Sequence, residues 1–177
     1  MVYADGIILL AIYGVKADRL SLAIVNPAAR LEPGPGLALR SLLRTREGVI
    51  VLLYVDRSMF KWRWDYVRGQ SEDDVRADVW SVRSLDDGET WVNRYRIMEG
   101  YCGAFINMIE TQRGPIVVPV QMLLHDPGRH GQATFASSDQ GKTWERSNII
   151  DLGGRGHHDG AFEATISKLG DRSLWML

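Results

Sequence analysis

The sequence offers little that could cross-link the chain, anchor it in a bilayer or give it a strong charge. Its single cysteine, Cys102, excludes an internal disulfide in 177 residues and leaves the redox compartment open. A formal net charge of −1 removes the basic excess that a nucleic-acid partner would call for. The apolar run from Gly6 to Val15 is too short to span a membrane, and Asp5 rather than a basic cluster precedes it, so it does not read as a signal peptide. Localisation therefore stays open. No phosphate-cradling loop is present, because Gly153-Gly154-Arg155-Gly156 lacks a strand-to-helix context, and no cofactor is implied. With 45% hydrophobic and 24% charged residues, the composition is that of an ordinary globular domain.

What the chain does have is a repeated octapeptide. Ser84-Leu85-Asp86-Asp87-Gly88-Glu89-Thr90-Trp91 returns as Ser137-Ser138-Asp139-Gln140-Gly141-Lys142-Thr143-Trp144. Ser, Asp, Gly, Thr and Trp hold their places while the residues between them vary, as a hairpin needs when side chains satisfy its own backbone. Asp86 and Asp139 can accept turn N–H bonds, Gly88 and Gly141 can take positive φ, and Trp91 and Trp144 can plug the sheet beneath. A calcium loop is the rival reading of Asp86-Asp87-Gly88, but the EF-hand spacing and its closing glutamate are missing. The octapeptide resembles the Asp-box, S-x-D-x-G-x-T-W, of the sialidase (neuraminidase) superfamily. In that family the box is a structural turn, and it also occurs in non-enzymes.

Taken in order, apolar runs at Ile7 to Tyr13 and Leu20 to Val25, separated by Gly14 and Lys16-Ala17-Asp18, suit a hairpin or sheet edge. Pro27, Pro33 and Pro35 then break regular structure. Strands are expected over Leu37 to Thr45, Val49 to Val55, Asp78 to Ser84 and Trp91 to Met98, with the first box joining the last two. The pattern recurs over Ala104 to Thr111, Pro115 to Met122, Gln132 to Ser138 and Trp144 to Ile150, and a third round opens at Ala161 to Leu169 and Ser173 to Leu177. Four strands repeating at a period of roughly 50 residues mark a β-propeller. The expected division is an N-terminal segment 1–36, a first blade 37–98, a second 99–155 and the start of a third 156–177. The resemblance implies an all-β propeller of six blades, so the chain reads as a fragment. Its open blade faces would need a partner, an oligomer or further sequence to cover them.

The loop from Arg57 to Ala77 crowds Lys61, Trp62, Arg63, Trp64, Asp65, Tyr66 and Arg68 together ahead of Ser71-Glu72-Asp73-Asp74, and reads either as functional or as a solvated insertion over the sheet edge. Strand order puts the boxes on one face. It puts Arg40, this loop, the His125 to His130 loop and the His157 to Glu163 segment on the opposite rim, where propeller sites lie.

The resemblance implies roles along that rim. His158-Asp159-Gly160-Ala161-Phe162-Glu163-Ala164-Thr165-Ile166 is similar to the family's glycine-rich approach to Glu-Pro-Thr-Val, with Ala164 in place of proline. Glu163 would then be the glutamate that polarises a tyrosine nucleophile. Asp74, or Asp73 beside it, would be the general acid and base. The family's Arg-Ile-Pro motif is absent, since the equivalent stretch reads Ala38-Leu39-Arg40-Ser41-Leu42, and Arg40 is a displaced candidate for binding a sugar carboxylate. Arg57 and His158 are the other candidate sugar contacts, and the remaining arginines and the tyrosine are expected beyond Leu177.

His125 and His130 with Asp126, and His157-His158 with Asp159, lack the spacing of a zinc site and read as rim residues facing sugar hydroxyls. Two functions follow: a sialidase-like exo-glycosidase acting on a glycan, or a non-catalytic propeller for glycan binding or structural interaction. On the first, Glu163 and Asp74 should open onto one cleft, roughly 8 to 15 Å apart.

Overall fold

A computed structural model describes residues 2–4, 7–11, 22–24 and 37–177, with side chains from Ser41 onward. Its strands are β1 (Val2–Ala4), β2 (Ile7–Ala11), β3 (Leu22–Ile24), β4 (Leu37–Arg44), β5 (Ile50–Asp56), β6 (Trp64–Asp65), β7 (Gln70–Ser71), β8 (Asp78–Ser84) and β9 (Val92–Met98). They continue with β10 (Ile109–Glu110), β11 (Ile116–Leu124), β12 (Arg129–Ser137), β13 (Glu145–Arg146), β14 (Ile166–Lys168) and β15 (Leu174–Met176).

The first three strands make an antiparallel sheet. The turn anticipated at Gly14 to Asp18 and the breaks at Pro27, Pro33 and Pro35 lie outside the described residues. Two four-stranded antiparallel sheets follow, ordered β4-β5-β8-β9 and β10-β11-β12-β13, and β14 pairs with β15. The two four-stranded sheets are up-and-down blades, and the architecture is an incomplete all-β propeller.

Alternation along β5 decides how the blades pack. Val51, Leu53 and Val55 face the second blade and form one core with Val79, Ile116, Val118, Val120, Phe135 and Trp144. Leu52 and Tyr54 face the other way, with Val82 and the partly buried Leu42, Trp80 and Trp91. A strand buried on both faces reads as the continuous apolar run seen here.

The outer strands are shorter than their apolar patterns suggest. Strand β10 pairs only Ile109 and Glu110 with Val117 and Ile116. In the same register the next alternate pair would set Asn107 against Pro119, which has no N–H to give a ladder. Asn107 instead bridges to the third sheet, its amide donating to Ile166 O at 2.7 Å and its Oδ1 accepting from Ile166 N and Thr165 Oγ1 at 2.9 Å each.

Both octapeptides join the third strand of a sheet to the fourth, and their bonds match. Ser84 Oγ donates to Asp86 Oδ1 at 2.7 Å and accepts from Gly88 N at 2.8 Å, while Asp86 accepts from Thr90 N and Thr90 Oγ1 at 2.8 and 2.6 Å. The second copy reproduces these at 2.8, 2.8, 3.0 and 2.6 Å through Ser137, Asp139, Gly141 and Thr143. The glycines sit at φ of 91° and 81°, where a side chain would be strained. Burial alone would raise the Asp139 carboxyl, but the bonds from Thr143 and Ser137 outweigh it and hold it at about 2. The tryptophans differ: Trp144 is buried and donates from Nε1 to Ser81 Oγ of the first blade at 3.1 Å, while Trp91 is half-buried.

Candidate functional site

Beyond β5 the chain turns at Ser58-Met59, with Phe60 N donating to Arg57 O at 2.9 Å, and the residue types that follow alternate. Aromatics at even positions, Phe60, Trp62, Trp64 and Tyr66, are interleaved with Lys61, Arg63 and Asp65 at odd ones. Phe60 and Trp62 line one cleft, while Met59 and Lys61 line another on the opposite side of the segment. The segment then turns through β6 and β7, closed by Asp65 Oδ1 accepting from Val67 N and Arg68 N at 2.8 and 2.9 Å.

This small hairpin is seated on the second blade. Gly128 N donates to Gly69 O at 3.0 Å, and Gly128 lies so close to the Gln70 backbone that a Cβ would collide with it. Ser71 Oγ meets His125 Nε2 at 2.9 Å. The loops after β5 and β11 therefore hold each other, as the strand order anticipates for one rim.

A chain of hydrogen bonds sets the third wall. His157 O accepts from His130 Nε2 at 3.1 Å, which fixes the proton on Nε2 and makes Nδ1 the acceptor. Gln121 Nε2 donates to that Nδ1 at 2.8 Å, so its Oε1 is free to accept from Glu163 N, at 3.1 Å. The His130 backbone also takes Ala161 N at 3.0 Å and gives its own N–H to Asp159 O at 2.8 Å, against a glycine, Gly160, with no room for a side chain. Glu163 is held at a left-handed φ of 46°, a conformation non-glycine residues adopt only when the surroundings impose it. Burial lowers the His130 imidazole below its usual value and keeps it neutral, as this bonding pattern requires.

The result is a cleft of about 390 Å³ between Phe60, Trp62, Tyr101, His130, Phe162 and Glu163, with Gly103, Gln121, His157 and His158 completing its lining. Its rings touch in sequence: Phe60 to Tyr101 at 6.0 Å, Tyr101 to Trp62 at 5.3 Å, Tyr101 to His130 at 6.1 Å and His130 to Phe162 at 4.3 Å. Apolar planes with a carboxylate and an imidazole among them suit a ligand with apolar faces and hydroxyl edges.

Glu163 and His158 share this cleft, but Asp74 does not. It lines a separate cleft of about 370 Å³ with Asp56, Met59, Lys61, Arg76 and Asp78. The expected single cavity is thus divided, because Phe60 and Trp62 line the one cleft while Met59 and Lys61 line the other. There Arg63 forms a short ion pair with Asp74. The hydrogen bond from Arg63 holds the Asp74 carboxyl below its ordinary range, so it is ionised and suited to pairing rather than to giving up a proton. Asp73 faces a third cleft, with Ser71, Arg76, Tyr101 and His125. Arg57 lies behind the aromatic wall, its guanidinium 4.4 Å from the centre of the Phe60 ring. Arg40 sits at the bulge of β4 between Leu39 and Ser41, and its side chain lies outside the described residues. Among the described residues, no three His, Cys, Asp or Glu gather as a metal-ligand set, and no helix is long and apolar enough to cross a membrane.

Sequence reasoning passed over Gln121, Tyr101 and Phe162. Gln121 carried a signal, as the sole polar side chain in the strand Ile116–Leu124. Such a residue is buried only where partners await it.

Fold and turns define an Asp-box β-propeller, and the comparisons agree. Residues 29–177 match the BNR repeat-like domain, and the chain belongs to that family. A crystal structure of a protein of unknown function from Dyadobacter fermentans DSM 18053 is similar, with a TM-score of 0.56 and 17% identity over 82% of this chain and 44% of that one. An alpha-L-arabinofuranosidase from Fusarium graminearum, in complex with an iminosugar inhibitor, aligns with a TM-score of 0.47 and 17% identity over 77% of this chain and 39% of that one. The chain thus spans less than half the length of either solved structure. No curated protein matches it significantly.

Proposed function

We propose that the chain is the sugar-recognising part of a carbohydrate-active propeller, with blades over 37–98 and 99–155 and a further one opening at 156, and that the Tyr101, His130 and Glu163 cleft holds a sugar ring. The observation that carries this reading is the convergence of ring side chains from three loops on one cleft lined also by Glu163, whose backbone N–H is held by Gln121. Aromatic planes cover the apolar face of a pyranose or furanose, while Glu163 and His158 reach its hydroxyl edge. A glycan array probed with the purified chain tests it. Saturable binding, weakened by Tyr101→Ala and by Glu163→Gln, is expected, and silence across the array would overturn the reading.

Glu163 favours a second reading, sialidase-type hydrolysis with retention, because a backbone held at φ 46° at a cleft rim is the kind of constraint active sites impose. Asp74, ion-paired in another cleft, weighs for recognition over catalysis in this chain. Accordingly, the chain should not turn over a fluorogenic sialoside. Turnover that Glu163→Gln abolishes would put hydrolysis first.

A further inference from the structure

We infer that Trp62, Trp64 and Tyr66 form a rail for the second and later units of a linear oligosaccharide whose terminal unit occupies the cleft, an inference that rests on the sugar-binding reading. Ring contacts lead from the cleft into the rail without a gap. Tyr101 meets Trp62 at 5.3 Å, Trp62 lies 6.2 Å from Trp64 with the two planes 19° apart, and Trp64 and Tyr66 both approach His157, at 5.4 and 6.1 Å.

Rings arranged to seal a core would be buried, and these are not. Trp62 is 40% exposed and Tyr66 78%, while Trp64 between them is half-buried. Aromatic surface left open beside a ring-lined cleft is available to a ligand that extends from it. Nor does the strip ride on a loose loop, since the hairpin behind it is tied to Gly128 and His125 of the neighbouring blade. A platform fixed in advance loses little entropy on binding, which benefits a ligand making a series of weak, repeated contacts.

The chemistry narrows the occupant. Near-parallel indoles spaced on the scale of one sugar ring match successive apolar sugar faces, and Tyr66 adds a hydroxyl. The cations of the segment are engaged by carboxylates or face elsewhere: Lys61 lines the Asp74 cleft, Arg63 pairs with Asp74 and Arg68 lies 4.0 Å from both Glu72 and Asp73, so the rail does not present the basic track a polyanion would follow. Continuity with the cleft favours an extended glycan over a protein segment.

Calorimetry on the full chain tests the inference, with cello-, xylo- and arabino-oligosaccharides of one to five units as probes. For the series that binds, affinity should rise by about tenfold from one unit to three, the equivalent of ~1.4 kcal/mol. Tyr66→Ala, at an exposed position, and Trp64→Ala should each remove most of that gain and leave the one-unit affinity unchanged, while Trp64→Phe should keep it. Affinity that does not grow with length, or a gain that survives both alanine variants, overturns the rail and leaves the cleft standing. If no series binds at any length, both readings fall together.

Discussion

The two faces of the blades are built by opposite means. On the box face each turn closes within eight residues: its serine, aspartate and threonine bond to one another and to backbone no more than four positions away. On the cleft face the bonds that matter join distant residues, as when Glu163 N reaches Gln121, Ser71 meets His125 and Gly128 meets Gly69. The turns of the box face are therefore repeated and closed within themselves. The cleft face is unique, and each of its walls exists only because another is in place. A scaffold can be specified locally, whereas a cleft with walls from several loops has to be assembled from distant parts of the chain.

Even so, one part of the box face depends on the neighbouring blade, and the largest expected effect lies there. Trp144 is buried against the first blade, so Trp144→Ala should cost about 3 to 5 kcal/mol in chemical denaturation. Half-buried Trp91, in an equivalent turn, should cost less, about 1 to 2 kcal/mol. Equal losses would mean that the tryptophans act through their turns rather than through the blade each one meets.

Gln121→Leu probes the other face. It leaves the His130 Nδ1 and the Glu163 N–H without their partner, for a stability loss of about 1 to 3 kcal/mol. Sugar binding should fall out of proportion to that loss, because Glu163 loses its anchor. A variant that unfolds more easily yet binds normally at low temperature would separate Glu163 from the Gln121 and His130 chain.

Acid should act on the two faces in different windows. His130 has a folded pKa below its unfolded value of about 6.5, so the unfolded chain binds the proton more readily. Its stabilising contribution is present above pH ~6.5 and declines as pH falls below that value. Asp139, lowered from 3.8 to about 2, contributes stability above 3.8 that is lost as pH falls toward 2. Melting curves from pH 7.5 to 5 should flatten in His130→Asn and not in Asp139→Asn. The reverse pattern would contradict the assignment of these windows.

Legibility in the sequence follows the same division. The octapeptides could be read as turns because the hydrogen bonds that close them lie inside them, and the strands around them follow from apolar alternation. The β6–β7 hairpin inside the 57–77 loop was not legible, since two-residue strands leave no period and Gln70 and Ser71 are buried by a loop more than fifty positions on. The aromatic alternation from Phe60 to Tyr66 was present as a pattern, yet only coordinates reveal that it divides Glu163 from Asp74. Proximity along the acidic run Glu72-Asp73-Asp74 could not tell which carboxylate Arg63 would take.

The central claim is that the ring-lined cleft before Glu163 receives a sugar. A crystal structure of the chain with the tightest-binding array glycan tests it most directly. The terminal sugar should lie against Tyr101 and His130 with a hydroxyl at the Glu163 carboxylate, whereas sugar density on the box face or in the Asp74 cleft, with this cleft empty, would contradict the account.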